Sequence, residues 1–441
     1  MEAALIGFGI LLLLILLRVP IAFAMGGVGF FGFWYVRDSL PAAVATTAER
    51  FALLIQTESY DLSVLPMFVL MGNLVARAGL SGELYAAAQS FLGHRRGGLA
   101  MATVVACGGF SAVCGSSLAT AATMAKVALP SMRRFGYRDS LATASIAAGG
   151  TLGILIPPSV IMVIYGLMTE QSIRELFAAG FLPGAIGMVL YTLAVQWTVW
   201  RDPAAGPRAE RVSWAGRLRA LKGVWGVLAL FALVLGGIYL KAFTTTEAAG
   251  IGACGALVFA LLRRIGLKAV YQVLVDSART SAVLFFILMG ALIFSNFVNA
   301  AGLPEGLLQL IGGQGTPPYL VIAIILLIYI LLGCVLESLS MILLTVPIFF
   351  PIVKGLAPQL GIDPRWVLIW FGIVIVVVTE ISLITPPVGL NVYVLSSVVP
   401  DLRTTTVFRG MLPFIVVDFA RLAALTLLPA ISLYLPRLFY G

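Results

Sequence analysis

Charge is what this chain of 441 residues has least of. Only 11% of it is Asp, Glu, Lys or Arg, against 61% hydrophobic residues, and that balance excludes a soluble globular protein. Histidine is nearly absent too. His94 stands alone beside Arg95-Arg96 at the end of an apolar stretch, where a loop role near the membrane interface is expected. The four cysteines, Cys107, Cys114, Cys254 and Cys334, lie in apolar stretches without CxxC spacing, which argues against a disulfide framework or a zinc site. There is no Walker-type glycine loop and no converging nucleophile–base set, so neither ATP hydrolysis by that route nor an enzyme is expected. The N-terminal run Leu5–Leu17 lacks a basic n-region and continues past Arg18-Val19-Pro20 into Ile21–Val36, so it reads as a span and not as a cleaved signal peptide.

What is present is a series of apolar runs, each near the roughly 20 residues that cross a bilayer as a helix. The net charge of +9 comes mostly from arginines between these runs, the positive-inside pattern and not a nucleic-acid footprint. The basic clusters are His94–Arg96, Arg133-Arg134 with Arg138, Arg201 to Lys222, Arg263-Arg264 with Lys268, and Arg403 with Arg409. Placing them all in the cytoplasm makes Leu62–Leu92 one inward span. Leu99–Leu129, basic at both flanks, becomes a re-entrant hairpin with its tip at Cys114-Gly115-Ser116-Ser117. Ser140–Met168 then runs outward and Phe181–Trp200 inward. In the second half, Val224–Leu240, Ala248–Leu262 and Ala278–Ala301 cross, Tyr319–Leu336 with Met341–Val353 form a second hairpin, and Val367–Val399 and Met411–Leu433 cross again. An odd number of crossings per half inverts the second half relative to the first and puts the N terminus outside. Ala42–Tyr60 is too polar to span and reads as an amphipathic helix on the external face.

Order-preserving echoes support the repeat. Met71-Gly72 matches Met289-Gly290, and both segments end in Ala-Gly-Leu; GILIPPS (Gly153–Ser159) matches SLITPPVG (Ser382–Gly389); Phe177–Pro183 matches Phe408–Pro413. The fold expected is all-α and polytopic, an inverted repeat of about 10–12 transmembrane helices with two re-entrant hairpins. Its divisions are 1–61 (scaffold helices and external helix), 62–200 (first repeat, hairpin about 99–129, broken helix about 140–168), 201–223 (cytoplasmic linker) and 224–441 (second repeat, hairpin about 319–353, broken helix about 367–399).

The Pro-Pro pairs locate the chemistry. Each removes two backbone donors inside a span, and helical backbone freed in hydrocarbon costs several kcal/mol per group unless protein, water or an ion satisfies it. Released carbonyls suit a small hard cation such as Na⁺; the half-helix beyond the break offers its N terminus to an anionic substrate. The hairpin tips supply facing groups: Ser116 and Ser117 in the first, Glu337, Ser338 and Ser340 in the second. Inverted repeats with broken helices are the pattern of secondary transporters. Glu380, within the second broken segment, is a candidate cavity residue like Glu337. Asp418 and Arg421, three apart, read as a mutual pair; Lys126 reads as snorkelling, and Trp34-Tyr35 and Trp366 as interfacial anchors.

Leu65–Gly98, Cys114–Ala122 (CGSSLATAA), Gly136-Tyr137, Gly149–Ser159 (GGTLGILIPPS), Leu176–Gly184 (LFAAGFLPG) and Glu380–Asn391 (EISLITPPVGLN) together resemble the large membrane subunit of tripartite ATP-independent periplasmic (TRAP) transporters, the DctM family. The resemblance covers essentially the whole chain. It implies an elevator-type member of the ion transporter superfamily, resident as a multi-pass protein in a bacterial or archaeal inner membrane. It implies Na⁺-driven uptake of an organic acid (a C4-dicarboxylate, sialic acid or related carboxylate), with a small four-helix membrane subunit as a separate chain and a periplasmic solute-binding protein. One Na⁺ site would lie between Ser116, Ser117 and Gly153, Ile156, Pro157, and another between Ser338, Ser340, Met341 and Ser382, Thr385, Val388. Substrate would meet Ser116, Ser117, Pro158, Glu337, Glu380, Pro387 and Asn391. The sequence departs from the common family pattern at Cys114, Lys126 and Ser382. A stand-alone ion-coupled carboxylate transporter, working without a binding protein, is the alternative.

Overall fold

A computed structural model of the chain describes residues 1–56, 62–312, 317–334, 336–399 and 401–441. The described residues are helical with short connections. The first helices are α1 (Glu2–Leu16), α2 (Ile21–Arg37) and α3 (Leu40–Gln56). The last few residues of the amphipathic stretch expected at Ala42–Tyr60 lie outside the described residues. Next come α4 (Val64–Arg77), α5 (Leu80–Leu92), α6 (Gly98–Cys114), α7 (Ser117–Arg134), α8 (Asp139–Thr151), α9 (Val160–Thr169) and α10 (Ile173–Arg201). The second half holds α11 (Trp214–Tyr239), α12 (Thr245–Leu262), α13 (Leu267–Ala300), α14 (Leu303–Gly312), α15 (Pro318–Gly333), α16 (Ser338–Leu360), α17 (Pro364–Ile384), α18 (Leu390–Val398), α19 (Thr404–Leu427) and α20 (Ala430–Tyr440). Among the described residues, seven helices are long and apolar enough to cross a membrane singly, and α4 with α5 makes up to eight.

Leu62–Leu92, expected as one span, is not one straight helix. It divides into α4 and α5, bent by 66°. The cause is local: Ala78-Gly79-Leu80 places Gly79 at φ 76°, a left-handed conformation that ends a helix and that glycine adopts without steric cost. The same tripeptide, Ala301-Gly302-Leu303, separates α13 from α14 with Gly302 at φ 67°. The stretch read as a linker at 201–223 becomes helical from Trp214.

α17 shows how sequence sets depth. Val367–Val378 is apolar on every side, and a helix with no polar face belongs inside; its whole apolar window is buried. Trp366, expected at the lipid interface, is instead buried, with the Arg365 guanidinium 4.4 Å from its ring centre. By contrast α11, α12 and α13 expose leucines and aromatics along their outer sides, as lipid-facing helices do. α3 is braced to α13 by Arg50, which donates to Oδ1 of Asn296 at 2.9 Å.

Helix contacts come in exchanged pairs. α2 packs on α13 while α12 packs on α4; α9 packs on α16 while α18 packs on α7; α10 packs on α17 while α19 packs on α8. The half-helix beyond each Pro-Pro pair therefore rests on the hairpin of the other half.

Candidate transport site

Both hairpins turn over a single helix break. In the first, Gly115 at φ 63° closes α6 and Ser116, in extended conformation, caps α7; its Oγ accepts from the Ala119 N–H at 3.4 Å. In the second, Glu337 holds the equivalent N-cap position before Ser338. Ser117-Leu118 and Pro130 recur as Ser338-Leu339 and Pro351 at one constant offset, so the second arms of the two hairpins are in register. Each cap leaves the first N–H groups of its helix free to bind something else.

The Pro-Pro segments interrupt their helices as the composition demands. After α8 and a short 3₁₀ turn at Leu152–Ile154, the chain leaves helix until Ser159, whose hydroxyl donates to the Ile154 carbonyl at 2.5 Å and whose Oγ caps α9. α17 ends at Thr385, and α18 begins after Gly389. The Pro157-Pro158 and Pro386-Pro387 bonds are both cis.

Tip and break touch in both halves. A Cβ added to Gly153 would stand 2.7 Å from the Ser116 carbonyl oxygen and 3.0 Å from the Ser117 nitrogen, so the first tip lies directly on the first break. Gly115 likewise faces the Pro158 carbonyl. In the second half, Gly333 at the end of α15 leaves the room that Ser382 fills, and the Cys334 thiol lies 4.0 Å from the Pro386 carbonyl. The family departure at Ser382 is thus accommodated by a glycine opposite it. Ser382 Oγ–H donates to the Thr379 carbonyl at 2.7 Å, and Thr385 Oγ1–H to the Ile381 carbonyl at 2.9 Å. The two breaks differ in cover: residues 151–159 are buried, whereas Pro386 and Pro387 are exposed.

Between the tips lies a cavity of about 590 Å³. Ser116 and Ser117 line it from the first tip, Glu337 and Ser338 from the second, Ile154 and Val160 from the first break, Leu383 from α17, and Asn73 from α4. α13 contributes Arg279 and Thr280. Arg279 is exposed, and no ion pair or hydrogen bond to it is recorded among the described residues. The N termini of α7 and α16 both open here, each worth roughly half a positive charge. A guanidinium and two helix N termini around one space make an anion receptor. Ser340 donates to Oε1 of Glu337 at 3.3 Å and so steadies the one carboxylate that lines that space among the described residues.

Other expected site residues lie elsewhere. Ser340, Met341, Gly153, Ile156, Pro157 and Pro158 are buried and are not among the residues lining the cavity, Ile156 lining a second cavity with Leu84 and Met188, and Val388 is half-buried. Asn391 is buried and donates to the Ala147 carbonyl at 3.0 Å, tying α18 to α8. Glu380 is fully buried and ion-paired to Arg421, so it does not face the cavity. Asp418 and Arg421 are correspondingly not a self-contained pair: Arg421 bridges Asp418 and Glu380. Arg279 is the residue the expectation missed. Its signal was an arginine entering an apolar span, which membrane insertion tolerates only with a reason.

The profile described as "Tripartite ATP-independent periplasmic transporter, DctM component" matches residues 8–431. The chain belongs to the DctM family. It is accordingly a multi-pass inner-membrane component of a TRAP transporter. It is 37% identical to the C4-dicarboxylate TRAP transporter large permease protein DctM of Pseudomonas aeruginosa, over 86% of this chain and 87% of that one. To the protein of the same name from Rhodobacter capsulatus it is 35% identical over 99% of each. The sialic acid TRAP transporter large permease protein SiaM of Vibrio cholerae is 33% identical over 87% and 88%. Among solved structures, the Alcanivorax borkumensis YdaH transporter shares the fold with a TM-score of 0.54 at 16% identity, covering 87% of this chain and 88% of that one. The DctM-family assignment gives the tip–break pairs and the cavity between them a setting: a membrane permease.

Proposed function

We propose that this chain is the translocating subunit of a Na⁺-coupled uptake system for an organic acid, a C4-dicarboxylate in the first instance. The observation that carries this reading is the cavity in which Arg279 meets the N termini of α7 and α16. A carboxylate group there would accept from the guanidinium and from free backbone N–H groups, while Ser116, Ser117, Ser338, Thr280 and Asn73 would read its polar substituents. The names of the relatives from P. aeruginosa, R. capsulatus and V. cholerae, permeases for C4-dicarboxylate or sialic acid, point to the same class of substrate.

Na⁺ would bind where tip and break touch, at Ser116, Ser117, Gly153, Ile156 and Pro157 in one half and at Ser338, Ser340, Met341, Ser382, Thr385 and Val388 in the other. Carbonyl and hydroxyl oxygens suit a hard cation, and the contact of Gly153 with the Ser116 carbonyl supports the first site. Bound Na⁺ would fix each tip on its break and thereby shape the anion receptor between them. The exchanged helix contacts support an inverted repeat in which hairpins and broken helices form one body. That body would carry substrate across by an elevator motion against a stationary scaffold including α2, α4, α12 and α13, so that Arg279 and Asn73 would meet the substrate in one state of the cycle and not travel with it. A family described as tripartite and periplasmic supports two further components, a small four-helix membrane subunit and a periplasmic binding protein that delivers substrate.

Thermal unfolding of the purified chain in lipid nanodiscs tests the ion sites. Na⁺ is expected to raise the melting temperature over equimolar K⁺, and succinate to raise it further only when Na⁺ is present. Equal melting in Na⁺ and K⁺ would overturn the ion sites.

A further inference from the structure

A second cavity, of about 250 Å³, lies between α6 and α10 on one side and α5 and α11 on the other. Its lining side chains are apolar throughout, Leu84 of α5, Met188 of α10 and Val227 of α11 among them, and Ile156 of the first break reaches it. Phe181 and Leu228, which also line it, are 37% and 47% exposed, so the space opens on the lipid-facing side of α10 and α11. Water would find no side-chain partner there. An apolar cavity of about 150 Å³ already holds a benzene-sized molecule, so this one has room for part of a hydrocarbon chain.

From the cavity, both helices carry a groove toward their arginine-rich ends. On α10 the lining positions Ala185 and Met188 continue at helical spacing through half-buried Thr192 to exposed Gln196 and Trp200. On α11, Phe231 and Leu228 continue through exposed Leu221 to Arg217. Arg217 lies about 16 Å from Leu228 along the helix, close to the roughly 15 Å hydrocarbon depth of one leaflet. Its guanidinium stands 4.8 Å from the Trp214 ring centre and 5.6 Å from that of Phe91, and its Nε donates to the Ser90 carbonyl at 3.2 Å. Two further arginines join it. The Ala209 N–H donates to the Gly93 carbonyl at 3.0 Å, which brings the loop carrying Arg211 against the turn carrying Arg95. Desolvation, then the charges of Arg211, Arg217 and Arg95, hold the His94 imidazole below its ordinary range. Arg95 and Arg211 are exposed, and among the described residues neither has an ion pair or a hydrogen bond. The acids of the adjoining loop are Asp202, which pairs with Arg138, and Glu210, so positive charge is in excess.

We propose that this groove binds one anionic phospholipid, with its phosphate on Arg95, Arg211 and Arg217 and one acyl chain in the cavity. The planar fork of arginine can donate two parallel hydrogen bonds to a phosphate, and arginines beside a membrane draw anionic headgroups. Trp200 and Trp214 supply the amphipathic rings that sit at headgroup level. The chain then fills a space that protein leaves open and water does not wet. The site stands without the transport reading. Joined to that reading, the chain rests on Ile156 and so makes lipid part of the wall of the first break.

Native mass spectrometry of the full chain released from detergent tests this, by titration with phosphatidylglycerol or with phosphatidylcholine of identical chains. One phosphatidylglycerol is expected to be retained at lower concentration than phosphatidylcholine. Arg95→Gln with Arg211→Gln is expected to weaken its retention roughly 30-fold. A Cβ added at Gly109 would touch only Leu84, at 3.4 Å, so Gly109→Leu fills the cavity. That variant is expected to weaken retention about tenfold, through lost burial of chain methylenes. Should it not fold, Ala185→Leu fills the same space from α10. Glycerol phosphate at equal concentration is expected not to compete. Equal retention of the two lipids, or unchanged retention in the arginine variant or in the cavity-filling variant, would overturn the proposal. Displacement by glycerol phosphate as effective as by unlabelled phosphatidylglycerol would also overturn it, because the phosphate alone would then account for binding.

Discussion

Arg279 is an exposed guanidinium on the wall of a cavity inside a membrane protein, and such a group is retained for what it binds. A hydrogen bond to a charged group contributes about 1.5–3 kcal/mol, which is roughly 10- to 150-fold in an equilibrium constant. Arg279→Gln is therefore expected to raise the substrate concentration for half-maximal uptake by about that factor, and Arg279→Lys to recover part of it. Equal affinity in all three proteins would remove Arg279 from the receptor. Gly153→Ala addresses the other kind of group, the backbone carbonyl. A methyl placed 2.7 Å from the Ser116 oxygen must push the first tip off its break, with an overpacking cost of about 1–3 kcal/mol. The melting temperature is expected to fall and its rise with Na⁺ to shrink. Thr385→Val keeps the shape and removes the hydroxyl, so weakened Na⁺ dependence is expected; unchanged dependence would mean that only backbone oxygens act there.

At the scale of elements, the second hairpin offers a paired test. Gly333 faces Ser382 with no room for a methyl group. Gly333→Ala should lower the melting temperature, and adding Ser382→Gly should restore most of the loss, because the two residues share one space. Additive losses would show that they do not. The hairpins and breaks were legible in the sequence because Pro-Pro, Gly-Ser and basic flanks act locally, through missing donors, helix caps and insertion energetics. The bend at Gly79 was written in the same local terms but hidden by the continuous hydropathy of 62–92, which reports burial in lipid and not direction. What the sequence could not show was pairing across distance. Glu380 looked like a cavity acid because its partner Arg421 is 41 residues away on another helix. Trp366 looked interfacial because nothing local shows that α17 lies at the centre. Arg279 was visible as an arginine in an apolar span, but its meaning came only from the two hairpin tips that face it.

For the whole molecule, the account rests on coupling between two kinds of site. In the proposed mechanism Na⁺ would set tip on break, the set tips would shape an anion receptor, and the exchanged packing of each half-helix on the opposite hairpin would link the two halves. A Na⁺ ion moving inward through 100 mV supplies about 2.3 kcal/mol, before any concentration term. The most direct measurement is uptake of labelled succinate into proteoliposomes containing this chain, its small subunit and the periplasmic binding protein. The account predicts accumulation above the external concentration under an inward Na⁺ gradient, and collapse of that accumulation when a sodium ionophore is added. Uptake that proceeds equally with the gradient inward, outward or absent would contradict it.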